Sequence, residues 1–145
     1  MESGSLSTKE FAAWTEDVIP FLHVTTRIPD WPGDGMLREY GGRGFPTLLF
    51  LDADGKKLSE PPGRDVATFA STATALGKVS DLKARVAKGE KGLEGKLLAA
   101  ELELGTVDFP NAKARLAKIK KLDDETKAKI TKLMVDAEIL HLFTE

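Results

Sequence analysis

The sequence predicts an α/β fold that gives way to an all-helical segment, and three observations carry that prediction. The first is the run Thr47-Leu48-Leu49-Phe50-Leu51-Asp52, fed by the glycine-rich bend Gly41-Gly42-Arg43-Gly44 and by Pro46, and followed by Asp54-Gly55. An Asp-Gly pair behind such a run marks a β-hairpin, because the turn needs positive φ and glycine supplies it at no steric cost. The second is that helix and strand signals alternate over residues 1–77. The third is that residues 78–145 show only capped segments of helical apolar period.

In chain order, Ser7-Thr8-Lys9-Glu10 reads as a capping box, with Ser7 as N-cap and Glu10 three residues on. Phe11, Trp14 and Val18 then share one face of a helix that must stop before Pro20. Phe21-Leu22-His23-Val24-Thr25-Thr26 has strand composition. Residues 28–35 combine proline, glycine and aspartate around Trp31, which is loop chemistry. Met36 to Tyr40 suits a short helix closed by Gly41-Gly42. Thr47 to Asp52 is a strand, covered on both faces given its continuous apolarity, and Lys56-Lys57-Leu58 opens its antiparallel partner. Pro61-Pro62-Gly63 ends that partner, and a helix from Asp65 to about Leu76 carries Phe69, Ala73 and Leu76 on one side, with Gly77 as its C-cap.

Four helices follow. They are expected at Ser80 to Lys88, at Leu93 to Leu104 with a stripe of Leu93, Leu97, Ala100 and Leu104, and at Phe109 to Lys121 from an Asp108 cap with Pro110 in its first turn. The fourth starts at an Asp123 cap, with Ile130, Leu133, Met134, Ala137, Leu140 and His141 on its buried side.

Composition narrows the function. A length of 145 residues, with 41% hydrophobic and 30% charged residues, suits one compact domain or a small domain with an appendage. A net charge of −2 gives no reason to expect nucleic acid or an anionic membrane as partner. No apolar stretch reaches the length of a membrane span, and Met1-Glu2-Ser3-Gly4-Ser5 has no export signal, so the chain as written reads as cytoplasmic. The complete absence of cysteine removes disulfides, thiolate nucleophiles, zinc–thiolate sites and thiol redox chemistry.

The segment Gly44-Phe45-Pro46-Thr47, leading into a strand and the Asp52-Ala53-Asp54-Gly55 hairpin, resembles the second half of a thioredoxin domain. So does the order of helix, strand, loop, short helix, strand, hairpin and helix over roughly residues 3 to 77. The resemblance implies a cis bond before Pro46 and a loop that binds extended peptide, which points to Phe45, Pro46, Thr47 and Trp31 as binding residues. It also implies that Ser5 and Thr8 stand where the family keeps its redox cysteines, by counting back from Lys9-Glu10-Phe11. A hydroxyl cannot exchange with a disulfide, so neither inherits that role, and the preferred reading is that Ser5, Ser7 and Thr8 start a helix. The family's first strands have no counterpart here. A trimmed chain, a variant lacking them, or a strand supplied by a second copy would each explain that, and an open sheet position favours self-association or a partner that adds a strand.

Leu97 to Gly105 with Asp108, Phe109, Ala112 and Leu116 is similar to a tetratricopeptide helical pair, although only one unit is visible and arrays need about three.

Other chemistry finds little support. His23 and His141 are isolated imidazoles best read as packed residues, and no metal-ligand spacing occurs. Asp52-x-Asp54-Gly55 lacks the glutamate a calcium loop needs, since position 63 is glycine. Gly41-Gly42-Arg43-Gly44 precedes a strand, whereas phosphate loops open a helix. Lys118, Lys120, Lys121, Lys127, Lys129 and Lys132 alternate with Asp123, Asp124 and Glu125 as a solvated surface does. Trp14, Trp31 and Phe45 are the aromatics that could bear function, or else plug the core. The function expected is a redox-inactive thioredoxin-like module that binds protein or extended peptide without a cofactor. A thiol–disulfide oxidoreductase relative that has lost its cysteines and a structural or oligomerising domain are the alternatives.

Overall fold

The computed structural model describes residues 4–25, 28 and 30–143. At the coarse level it is α/β, with one two-stranded antiparallel sheet and six α-helices among those residues. The chain divides into two compact units, Met1–Ala70 and Ser71–Glu145.

The first unit opens with a 3₁₀ turn at Ser5–Ser7, followed by α1, Lys9–Trp14. Thr8, not Ser7, is the N-cap, its Oγ1 accepting from the Phe11 amide at 3.1 Å, so the expected start is displaced by one residue. Both residues carry the hydroxyl that a cap needs, and the 3₁₀ turn occupies Ser7. A second 3₁₀ turn, Thr15–Asp17, ends the helical stretch before Pro20. Phe11 and Trp14 meet Phe69 at ring-centroid distances of 6.1 and 5.8 Å, and Trp14 meets Phe50 at 6.4 Å. The half-buried rings of Phe11, Trp14 and Phe50 thus cluster around the buried Phe69, and Trp14 is therefore a packing residue.

Residues 21–25 do not form the expected strand; Thr26 lies outside the described residues. Phe21, Leu22 and Val24 are exposed. Strand composition needs a neighbouring ladder, and none reaches these residues in the described chain.

The short helix α2 spans Met36–Glu39. The amides of Gly41 and Gly42 return to the carbonyls of Arg38 and Leu37 at 3.0 and 2.7 Å, and Gly41 takes φ +73°. That is the glycine C-cap the sequence anticipates. The bond from Phe45 to Pro46 is cis, as the resemblance implied.

Strand β1 covers only Phe50–Leu51 of the expected Thr47 to Asp52, and β2 is Lys57–Ser59. Phe50 pairs with Ser59 and Leu51 with Lys57, with an irregularity between them. Asp52 belongs to the turn: its Oδ1 accepts from the amides of Asp54 and Lys56, and Gly55 sits at φ +79°. Leu48 to Leu51 are half-buried or exposed, because a sheet of two strands cannot cover the run on both faces.

Asp65 caps α3, its Oδ1 accepting from the Thr68 amide at 2.8 Å. This helix, Val66–Ala87, crosses the division between the units without a break. The expected stop at Gly77 and restart at Ser80 do not occur. Gly77 is exposed with nothing within 4 Å of where a Cβ would be, so it costs the helix only the roughly 1 kcal/mol of an interior glycine.

The second unit packs α4 (Glu94–Glu103), α5 (Phe109–Leu116) and α6 (Asp124–Leu142) against one another. Leu98, Ala99, Leu102, Ala112 and Ile130 form the buried cluster. The buried face of α4 is broader than the expected stripe, adding Leu98, Ala99, Glu101 and Leu102, since this helix meets both others. Asp108 and Asp123 cap α5 and α6 as expected. Helix α5 ends five residues before Lys121. The far end of α6 departs from expectation too: Leu140 is 66% exposed, with Ile139, Leu142 and Phe143 also exposed.

Candidate functional site

The expected peptide-binding segment is a loop held at both ends. At its start, Tyr40 Oη donates to the Gly55 carbonyl at 2.6 Å, tying the end of α2 to the hairpin turn. Lys57 Nζ donates to the Tyr40 carbonyl at 3.3 Å and pairs with Glu60. Within the loop, Thr47 Oγ1 donates to the Gly44 carbonyl at 2.6 Å, and Arg64 Nη2 makes a long contact of 3.5 Å to the Pro46 carbonyl. A cavity of about 640 Å³ is lined by Gly41 to Leu48 together with Lys57, Glu60, Pro61, Gly63 and Arg64.

Gly42 shapes this bend. A Cβ there would lie 3.0 Å from the Leu37 carbonyl oxygen and 2.9 Å from Thr47 Oγ1, so only glycine fits without displacement. Phe45 is 70% exposed beside the cavity. Thr47 and Leu48 precede the β1–β2 ladder, and among the described residues their amides make no hydrogen bond within the chain. Unladdered amides beside a cavity can pair with an added extended strand.

The lining carries Arg43, Lys57 and Arg64 against the single carboxylate of Glu60. Residues 1–70 hold seven Lys or Arg and eleven Asp or Glu, so the cationic lining runs against the charge of its own unit. Lys57 is engaged by Glu60, whereas Arg43 and Arg64 are exposed and have no carboxylate partner among the described residues.

Phe45, Pro46 and Thr47 come together at the cavity, but Trp31 does not line it. Trp31 is 48% exposed in the loop before α2. Ser5 and Thr8 are local partners, Thr8 Oγ1 donating to the Ser5 carbonyl at 3.0 Å, and neither lines the cavity. Arg64 is the residue that sequence reasoning missed. It lies eighteen positions beyond Pro46, beside the Pro61-Pro62-Gly63 terminator, with no motif to mark it.

His23 is half-buried, with its ring beside Gly33 and a buried Nε2 that has no hydrogen-bond partner among the described residues. His141 stacks on Phe109 at 6.0 Å. Among the described residues no three His, Asp or Glu side chains are grouped so as to hold a metal, and no helix is long and apolar enough to cross a membrane. Comparison with protein-family models, with curated proteins and with solved structures returned no match.

Proposed function

We propose that the chain is a redox-inactive, thioredoxin-like module that binds protein or extended peptide through the Phe45-Pro46-Thr47 loop. The observation that carries the reading is the pairing of an exposed Phe45 with the unladdered amides of Thr47 and Leu48 at the same cavity. An aromatic side chain offers contact area at small entropic cost, and the amides offer main-chain hydrogen bonds that ignore sequence. Without a thiol, this surface binds rather than exchanges.

The test is binding of the full chain to an array of immobilised decapeptides, in parallel with Phe45→Ala. Phe45 is largely outside the packing, so the variant should melt at the wild-type temperature. Loss of about tenfold or more in affinity across the bound peptides is expected. Equal binding by the variant would remove the loop from the function.

A second reading, self-association through an open strand edge, is favoured by the sheet itself: among the described residues each of its two strands has one neighbour only.

A further inference from the structure

We propose that the cavity selects a carboxylate on the bound peptide, received by Arg43 and Arg64. The inference rests on the peptide-binding reading and deepens it. Arg43 and Arg64 both line the cavity, both are exposed, and neither is neutralised by a carboxylate among the described residues. Arg64 is also positioned: its Nη2 lies 3.5 Å from the Pro46 carbonyl, which leaves its other N–H donors for a ligand. A guanidinium fork matches the two oxygens of a carboxylate better than an ammonium does.

The remaining charges at the cavity narrow the ligand. Lys57 and Glu60 satisfy one another, so the two arginines are its uncompensated charge. The N-terminus of α3, which follows Arg64 directly, is occupied by its own Asp65, bonded to the amide and the hydroxyl of Thr68. Asp65 therefore already takes the helix N-terminal position whose amides would favour a phosphate over a carboxylate. What is left is two side-chain cations beside the unladdered amides of Thr47 and Leu48, an arrangement for an extended peptide carrying an acidic side chain or a free C-terminal carboxylate.

The experiment uses the full chain and tetramethylrhodamine-labelled decapeptides of Ala, Ser, Thr and Val, followed by fluorescence anisotropy at low salt. One carries a central Asp-Glu pair and an amidated C-terminus. A second carries Asn-Gln and an amidated C-terminus, and a third carries Asn-Gln with a free C-terminal carboxylate. At least one carboxylate peptide should bind about tenfold tighter than the neutral amidated one, since two exposed pairs contribute modestly each. The preference should shrink in 0.5 M salt. Which of the two wins identifies the source of the carboxylate.

In the variant R43Q/R64Q the ratio of carboxylate to neutral affinity should fall to about one, and Arg43→Glu alone should depress acidic binding without depressing neutral binding. A merely structural role for Arg64 would weaken all three peptides together and leave the ratio intact, which overturns the proposal. If the wild type binds all three alike and Phe45→Ala weakens all of them, carboxylate selection falls while peptide binding stands. If none binds, both fall.

Discussion

Gly42 and Gly44 lie two residues apart in the same bend and differ in what surrounds them. A Cβ at Gly42 would press on the Leu37 carbonyl and Thr47 Oγ1, whereas one at Gly44 meets nothing within 4 Å. Gly42→Ala should therefore lower stability by about 1–3 kcal/mol, the usual cost of overpacking. Gly44→Ala should stay within about 0.5 kcal/mol of wild type, as exposed substitutions do. Urea unfolding of the two variants checks this, and equal midpoints would show that the bend is not tightly packed. The glycine run was legible in the sequence, but the difference between its members was not, because it depends on Leu37 folding back over Gly42.

At the level of elements, one carboxylate links three helices. Glu101 of α4 is 5% exposed and takes Lys83 of α3 at 3.0 Å and Arg115 of α5 at 2.6 Å. The two cations are partly solvated, with side-chain exposures of 55% and 38%, so removing the carboxylate leaves no buried charge stranded. Glu101→Gln keeps the shape and should cost about 1–3 kcal/mol, typical of lost hydrogen bonds to a charged group and below what a fully buried pair would lose. A thermal melt measures it, and an unchanged midpoint would mean that the link contributes nothing. The sequence offered Glu101 only as one charge in Glu101-Leu102-Glu103, and its alternation with leucine hid its burial.

For the whole molecule, the helix caps set an acid limit. Hydrogen bonds from the capped residue, Thr68, Asn111 and Thr126 respectively, hold Asp65, Asp108 and Asp123 below the ordinary carboxylate pKa. A depressed folded-state pKa adds stability that is present above the unfolded value, near 3.9, and is lost as pH falls through the folded one. The melting temperature should thus fall below about pH 4, and replacing the three aspartates by asparagine, which still caps, should flatten that fall. An unaltered acid limb in the triple variant would assign it to other carboxylates. Self-association is a property of the same scale. Light scattering over a dilution series, with a melt at each concentration, should give a dimer whose melting temperature rises with concentration if a strand edge is the interface. A monomer at every concentration would end that reading.

Local chemistry was readable from the sequence wherever a few neighbouring residues decide the outcome. The aspartate caps at Asp108 and Asp123, the glycine close of α2, and the Asp54-Gly55 turn are of this kind, since each needs only a side-chain oxygen or a positive φ within about four residues. Tertiary structure alone decided whether Phe21 to Thr25 and Thr47 to Leu49 become strands, because a ladder exists only where another strand arrives to share it. It also decided that Arg64 reaches the Pro46 carbonyl. Those outcomes depend on contacts between residues far apart in sequence, and no local pattern encodes such a distance.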